Sequence, residues 1–173
     1  MIISVSRLRG FISTSEIDEV LEAKLQSLEL LIRKYTNNNF QNRNIRYSCD
    51  IESNKLMFTS LYLKEGDTIQ ISESKYNNGL YVIKSLNGGI TLDKDIYDEP
   101  NVLVTKVEYP MDVQMGVVNL IKWDEENRSK VGIQSETISR HSVTYFNMDG
   151  NNSIVGYPKS LVGFLKPYMK ARF

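Results

Sequence analysis

The stretch DTIQISESKYNNGLYVIKSLNGGITLDK, residues 67–94, decides the fold predicted for the middle of this chain. Apolar and polar residues alternate in short runs, as in strands with one buried face. Asn78-Gly79 and Asn87-Gly88-Gly89 separate these runs, and such residues tolerate the positive φ that tight hairpin turns require. The stretch therefore predicts neighbouring antiparallel strands joined by short turns.

Similar runs extend this pattern outward to about Asn44 and Tyr109. IRYSCDI and KLMFTSL precede the quoted stretch, and VLVTKVEY follows it. Five or six short strands with little helix predict a small antiparallel sheet or barrel. We therefore expect an α+β protein in which a β module, residues 44–109, is inserted between two helical parts, residues 1–43 and 110–173.

The N-terminal part contains the clearest helical pattern, STSEIDEVLEAKLQSLELLIRKYT at residues 13–36. Ser13 and Glu16 have the spacing of a capping box, which predicts the start of the helix. Apolar residues at spacings of three and four form one stripe, broken only by Lys24 and widened by two further positions: Ile17, Val20, Leu21, Leu28, Leu31 and Tyr35, with Leu25 and Ile32. So broad a stripe predicts burial on more than one side, including against a neighbouring subunit.

The C-terminal part predicts two more helices with a hairpin between them. Pro110 suits a helix start, and a second long helix is expected at residues 111–128. Gly116 weakens this helix by about 1 kcal/mol relative to alanine, so we expect it to permit close approach of another backbone. Asp149-Gly150 is a hairpin signal. A short helix then begins at Pro158, and a basic tail, residues 169–173, ends on an aromatic residue.

Composition narrows the possible functions. Lys+Arg and Asp+Glu number 21 each, so the formal net charge is zero, whereas tight sequence-independent binding of nucleic acid needs a basic surplus. The one cysteine, Cys49, excludes an internal disulfide or a cysteine-based zinc site within one chain and fits a reducing compartment. The N-terminus does not have the pattern of a secretory leader, and no apolar run predicts a membrane span.

The sequence evidence for catalytic residues is weak. His141, the only histidine, lies next to Ser142, but no nucleophile elbow accompanies it, so we interpret it as a polar residue at a strand start. Consecutive carboxylates at Asp124, Glu125 and Glu126 spread around a helix and do not converge on one ion. We therefore predict no catalytic residues.

Two further stretches resemble ligand-binding motifs but lack residues that those motifs require. Four carboxylates resemble a calcium loop without its glycine and terminal glutamate: Asp93, Asp95, Asp98 and Glu99. Gly88-Gly89 lacks the lysine and hydroxyl residue of a phosphate loop. We therefore predict no metal and no cofactor.

Aromatic residues of the β module allow an alternative function. A base-stacking platform, as in single-strand binders, could use several of them, although aromatic residues are also the usual filling of half-buried strands. These residues are Tyr62, Tyr76, Tyr81, Tyr97 and Tyr109. A nucleic-acid-binding β module therefore remains an alternative.

Four segments in order resemble the head–tail connector (adaptor or head-completion) proteins of tailed bacteriophages. They are LLIRKYTNNNF at 30–40, GDTIQISESKYNNGLYVI at 66–83, VGIQSETISRHSVTYF at 131–146 and LVGFLKPYMKARF at 161–173. The third carries the family's Ser-Glu-x-Ile-x-x-x-Ser-Val-x-Tyr pattern, which ends in Ser142, Val143 and Tyr145. His141 stands where many relatives have an acidic residue or glycine.

The resemblance implies a virion protein of the phage neck, made in the host cytoplasm. Such connectors form rings of twelve copies below the portal, extend the DNA channel without sequence-specific binding, and contact the tail terminator or next neck protein. The implied fold is a helical connector core with the β module inserted, and the hairpin at 131–146 is implied to position the tail.

This family function suggests roles for particular residues. The first helix would supply subunit contacts through Leu25, Leu28 and Ile32, because closed rings use heterologous interfaces. The tail would bind the portal through Tyr168, Met169, Arg172 and Phe173. Ser142, Val143 and Tyr145 are interpreted as structural. The alternatives from other classes are a DNA-processing enzyme of the same phage module, which needs convergent carboxylates, and another neck or tail component such as a tail terminator.

Overall fold

The computed structural model describes residues 1–131, 135–138, 141–144 and 151–171. The fold is a mixed α+β fold, as predicted. The chain divides into two compact units. We call them the barrel unit, Met1 with Asn39–Tyr109, and the helical unit, Ile2–Asn38 with Pro110–Phe173.

A six-stranded antiparallel sheet forms the barrel unit. Its strands lie in the order β2-β1-β6-β3-β4-β5, and their bounds are β1 Gln41–Glu52, β2 Lys55–Leu56, β3 Thr68–Ser72, β4 Gly79–Ser85, β5 Thr91–Leu92 and β6 Glu99–Val107. β1 begins before the predicted boundary at Asn44. Each of the runs expected from the sequence contributes a strand, although KLMFTSL contributes only Lys55–Leu56.

Backbone hydrogen bonds between Leu56 and Ile90 close this sheet. Each residue donates its N–H to the carbonyl of the other, and both N···O distances are 3.0 Å. Leu56 belongs to one edge strand and Ile90 immediately precedes the other, so the two edges meet and the sheet becomes a small barrel. Closure matters because an open edge would expose unpaired N–H and C=O groups.

Alternate side chains from the strands fill the barrel interior. The buried cluster consists of Cys49, Ile51, Leu56, Leu63, Ile69, Ile71, Tyr81, Ile83, Ile90, Leu92, Ile96, Val102 and Val104. Most are aliphatic and β-branched, which suits the pleated surface of a strand. The residues at every second position of β3 and β6 therefore specify which face is inside.

The turns of the barrel match the sequence only in part. Gly88 and Gly89 have φ of 65° and 97°, as predicted. Asn78-Gly79 does not form the tight turn expected of it, since β3 and β4 are joined by the longer loop 73–78. The tightest hairpin instead joins β1 to β2 through Ser53 and Asn54, whose φ values of 52° and 64° are those of a type I′ turn.

The described residues of the helical unit form four α-helices. They are α1 Val5–Arg9, α2 Asp18–Thr36, α3 Met111–Asn127 and α4 Lys159–Val162, and a 3₁₀ helix, Gly163–Tyr168, continues α4. The prediction that Ser13 and Glu16 cap the first long helix is wrong. α2 begins at Asp18 after Ile17, with no side-chain cap, and Glu16 instead pairs with Lys24. The short helix α1, capped by Ser4, was not predicted.

Between α3 and α4, the described residues form two small strand pairs. β7 Ser135–Ile138 pairs with β8 His141–Thr144, and β9 Ser153–Ile154 pairs with β10 Tyr157–Pro158. The hairpin signal at Asp149-Gly150 lies outside the described residues. Among the helices that the structure describes, none is long and apolar enough to cross a membrane.

An arginine and two aromatic rings fasten the β9–β10 hairpin to the end of α3. The Arg128 guanidinium lies over the Trp123 and Tyr157 rings, at 5.1 and 4.8 Å from their centroids. Arg128 Nε and Tyr157 Oη both donate to the Asp124 carboxylate, each at 2.7 Å. Burial and this carboxylate raise the pKa of Tyr157. The network holds the hairpin in place just before α4.

Gly116 lies against an aromatic ring rather than a second backbone. A Cβ at this position of α3 would collide with Cζ, Cε2 and Cε1 of Phe164. As predicted, another group approaches Gly116 closely. That group is the Phe164 side chain of the 3₁₀ helix, not a second backbone.

Gly116→Ala should lower the free energy of unfolding by about 1–3 kcal/mol, because a methyl group forced against the ring overpacks the core. Helix propensity alone would give the opposite sign, a gain of about 1 kcal/mol. Urea denaturation measures the difference, with Asn119→Ala at an exposed position of α3 as control. In a Phe164→Leu background the loss should shrink, and an equal loss in both backgrounds would contradict the contact.

Cys49 should resist thiol reagents in the folded protein. It is buried in the barrel, and burial, followed by the charge of Asp50, raises the pKa of its thiol to about 11. Since the thiolate is the reactive form, labelling with dithionitrobenzoate near neutral pH should proceed at the unfolding rate of the barrel. Ser27→Cys in a Cys49→Ala background places a thiol on an exposed position of α2 and should react at once. Equal rates for the two would refute the prediction.

Candidate interaction surfaces

The residues predicted to contact a neighbouring subunit are buried within the protomer. Leu25, Leu28 and Ile32 have at most 5% of their surface exposed. α2 contacts α1, α3 and the C-terminal 3₁₀ helix, all in the helical unit. Their face of α2 packs inside its own unit, so these three residues are not accessible on the surface of the protomer.

The other edge of the same stripe stays on the surface. Ile17 is 62% and Val20 is 41% exposed, and Leu31 and Tyr35 are half-buried. At 100° per residue these four positions and Lys24 fall within a sector of about 60°, next to the buried face. We call this sector the α2 flank. The broad apolar stripe predicted from the sequence thus consists of two adjacent sectors of α2, one buried in the protomer and one accessible at its surface.

The only charge on the α2 flank is paired within the protomer. Lys24 Nζ contacts Glu16 Oε1, and the two side chains retain 32% and 30% of their exposure. The pair is partly shielded from water, so its attraction exceeds that of a fully exposed pair. An apolar partner could cover the flank without leaving an unpaired ammonium group.

The C-terminal segment is fastened to the end of α2. The Lys170 N–H donates to the Thr36 carbonyl at 2.8 Å. Asn37, which ends α2 with a left-handed φ of 49°, donates its side-chain amide to the Ala171 carbonyl at 2.7 Å. Residues 168–171 therefore lie along the helix terminus, where they satisfy a carbonyl that the helix leaves open.

Tyr168 and Met169 differ in their accessibility. The Tyr168 hydroxyl donates to both oxygens of Asp112 at 2.8 Å, and this bond raises the pKa of the tyrosine. Met169 is half exposed. Tyr168 is half-buried, so Met169 is the more accessible of the two predicted portal-binding residues that are described. Arg172 and Phe173 lie outside the described residues.

The motif residues of the third resembling segment are only partly described. Ser142 and Val143 lie in β8, opposite Thr137 and Glu136 of β7. His141 is the first residue of β8, in agreement with its interpretation as a residue at a strand start. Tyr145 lies outside the described residues.

The aromatic residues of the β module separate into two groups. Tyr81 and Tyr109 are buried and fill the interior, as the packing interpretation requires. Tyr62, Tyr76 and Tyr97 have 66%, 61% and 71% of their surface exposed. Tyr62 lies between β2 and β3, whereas Tyr76 and Tyr97 lie together, with ring centroids 6.3 Å apart and planes at 67°.

Tyr76 and Tyr97 belong to one end of the barrel, which we call the loop end. It consists of the turn Ser53–Asn54 and the loops 73–78 and 93–98. The antiparallel strand order puts this end opposite the one at which the chain enters and leaves the barrel unit. No residue of the loop end is close in sequence to the linkers.

Two asparagine side chains tie the three connections together. Asn54 Oδ1 accepts the Ile96 N–H at 2.8 Å. Asn77 Oδ1 accepts the Tyr97 N–H at 2.8 Å, and its amide nitrogen donates to the Tyr97 carbonyl at 3.0 Å. Asn77 is almost completely buried, so these bonds lie away from competing water.

Glu99 braces the loop 73–78 from the start of β6. Its carboxylate accepts the Lys75 N–H at 2.6 Å, the Ser74 hydroxyl at 2.6 Å and the Asn77 side-chain amide at 3.0 Å. The Lys75 N–H and then the Ser74 hydroxyl lower the pKa of this carboxyl group below its usual value of 4.5. An ionised carboxylate therefore holds the loop in one shape.

The carboxylates that resembled a calcium loop have structural partners instead. Asp93 Oδ1 accepts the Val82 N–H, Asp95 Oδ1 accepts the Asn54 amide, and Asp98 Oδ1 accepts the Asn54 N–H. Within the described part of the chain, no group of three histidine, cysteine or carboxylate side chains is placed to hold a metal ion. No local sequence pattern indicates that Glu99 organises a loop more than twenty residues away.

No protein-family model matches this chain, and no curated protein matches it.

The Glu99 brace should depend on pH. Because folding lowers the Glu99 pKa, its stabilisation is complete above pH 4.5 and is lost as the pH falls through the lowered pKa. Carbon-13 NMR should give a Glu99 midpoint below 4.5. Glu99→Gln should destabilise the barrel in urea at neutral pH, and the difference should disappear as the pH falls below the measured Glu99 midpoint. Glu65→Gln, on the loop between β2 and β3, should show no such pH dependence. A Glu99 midpoint at or above 4.5 would count against the brace.

Proposed function

We propose that this protein is a structural component of a phage neck, in which copies of the chain form a ring that joins the portal to the next neck or tail protein. The α2 flank is the observation that carries the proposal. One apolar sector of α2 is buried within the protomer, and the adjacent sector, Ile17 with Val20, Leu31 and Tyr35, remains accessible. An accessible apolar sector whose one charged side chain is already paired is typical of a subunit contact.

The organisation of the chain supports the same function. The helical unit is assembled from both ends of the chain, and the barrel unit is formed by the segment between them. This arrangement agrees with the helical connector core and inserted β module that the resemblance implies. In the proposal the helical unit forms the body of the ring, and the ring contains twelve copies.

Ring closure requires two different contact faces on each subunit, because a cyclic assembly beyond the dimer uses heterologous interfaces. The α2 flank would be one of these faces. The second would lie elsewhere on the neighbouring copy. DNA would pass through the ring without sequence-specific contacts, which is consistent with a neutral chain.

The C-terminal end is proposed to contact the portal. Residues 168–171 are held against the end of α2, and Met169 is exposed there. Arg172 and Phe173 would then supply a cation and an aromatic anchor. Such anchors commonly dominate the binding energy of an interface.

Val20→Asp should weaken ring assembly, because it places a further carboxylate in an apolar contact whose one ammonium group, on Lys24, is already paired with Glu16. We expect the protein concentration needed for assembly, alone or on the portal of the same phage, to rise at least ~10-fold. Mass photometry measures the number of copies. Leu30→Asp is the matched control, since Leu30 is exposed on α2 outside the flank.

A second variant tests the tail. Removal of Arg172 and Phe173 alone leaves the bonds of residues 168–171 in place, and it should abolish portal binding without changing the thermal unfolding temperature. Portal binding that survives this deletion refutes the role of the tail.

A protein that stays monomeric with the portal and binds DNA with a steep salt dependence refutes the connector function and favours a nucleic-acid-binding module.

A further inference from the structure

We propose that the loop end of the barrel is a docking surface for an arginine-bearing segment of another protein. This surface is built by residues 53–54, 73–78 and 93–98, and it shares no residue with the α2 flank or the tail. The proposal therefore does not depend on ring formation. It rests on exposed aromatic rings, on their bracing and on the charge around them.

The two tyrosine rings offer faces that attract cations. Tyr76 and Tyr97 are more than half exposed, although the rings contact each other edge to face. Lys75 Nζ already lies 4.9 Å from the Tyr76 centroid, within the range of about 6 Å at which a cation is attracted to a ring. The Tyr76 ring thus already attracts a cation, and a partner's guanidinium group would displace Lys75 from it or stack on Tyr97.

The rings are presented by a braced surface. Glu99 accepts three hydrogen bonds from the loop 73–78, and Asn77 binds both backbone groups of Tyr97. The loops therefore do not have to be ordered when a partner arrives, which removes one of the main costs of binding. Rigid exposed tyrosines are typical of the residues that anchor protein interfaces.

The charge of the loop end favours a basic partner. Residues 39–109 are all described, and four exposed carboxylates lie on or beside the three connections: Glu52, Glu73, Asp95 and Asp98. The exposed cations there are Lys75 and Lys94. This acidic excess would repel the phosphates of a nucleic acid and attract arginine or lysine.

Arginine fits this surface better than lysine. A guanidinium group is planar and weakly hydrated, so it can stack on a tyrosine ring while its N–H groups pair with a carboxylate. Asp98 follows Tyr97 directly, so a carboxylate and a ring are available on the same loop. A lysine ammonium group could satisfy the charge but would gain less from the rings.

NMR titration of the full-length nitrogen-15-labelled chain tests the proposal, with hexa-arginine, hexa-lysine and hexa-glutamate peptides and a single-stranded oligothymidine as probes. In about 0.15 M salt, which screens distant charges, we expect hexa-arginine to shift the amide signals of residues 73–78 and 93–98. Hexa-lysine should bind several-fold more weakly. Hexa-glutamate and oligothymidine should leave these signals unchanged.

Variants separate ring stacking from charge attraction. Tyr76→Ala combined with Tyr97→Ala should weaken hexa-arginine binding ~10-fold, in line with the loss of aromatic anchors. Tyr62→Ala removes an equally exposed tyrosine from the loop between β2 and β3 and should have no effect. Thermal unfolding measures whether both variants are folded. The amide signals that shift in the unaltered chain locate the binding site without any substitution.

Three outcomes would overturn the proposal. The first is shifts in these loops with oligothymidine but not with hexa-arginine, which would indicate a nucleic-acid surface. The second is equal binding of hexa-arginine and hexa-lysine that persists without the two tyrosines, which would indicate charge attraction alone. The third is the absence of shifts in these loops with every probe.

Discussion

The pairing of β1 with β6 is the constraint on which the rest of the structure depends. β1 carries the chain into the barrel and β6 carries it out, and Gln41 pairs with Val107 at the end where the linkers begin. Glu108 N–H donates to the Phe40 carbonyl at 2.9 Å, and the Phe40 and Tyr109 rings lie 4.9 Å apart. Since entry and exit are adjacent, the two terminal segments leave from neighbouring points and can fold as one helical unit.

The same constraint explains how the barrel can carry a separate surface. Antiparallel strands that bring the linkers together at one end leave the other end to the turn 53–54 and the loops 73–78 and 93–98. The bridge between Leu56 and Ile90 joins the two edge strands. The bonds from Asn54, Asn77 and Glu99 then replace the strand pairing that these connections lack. The loop end is thus ordered by hydrogen bonds from polar side chains rather than by backbone hydrogen bonds between strands.

Helix α2 illustrates how a single amphipathic pattern can serve two surfaces. Its apolar residues span two adjacent sectors. Leu21 and Leu25 in the first are completely buried against other helices of the unit, whereas Ile17 and Val20 in the second are accessible. The paired Lys24 lies in the second sector. Burial of the first sector stabilises the protomer, and in our proposal the second contributes to assembly.

The sequence by itself determined the class of the fold and most of its elements. Alternating runs specified the strands, Pro110 preceded α3, and the glycine pair at 88–89 adopted the expected positive φ. These features depend on neighbours within a few residues, because side-chain periodicity and backbone sterics act locally. The breadth of the α2 stripe was also evident from spacing alone.

Only the tertiary structure decided which parts of those patterns face inward and which residues act together. The capping-box spacing at Ser13 and Glu16 was present but unused, because Glu16 found Lys24 instead. Leu25 proved to be buried and Val20 exposed, although both fit one stripe. Glu99 became a loop brace because strand order places it beside residues distant in the chain. Each of these outcomes depends on groups far apart in sequence, and a local pattern carries no information about which distant partner a side chain will meet.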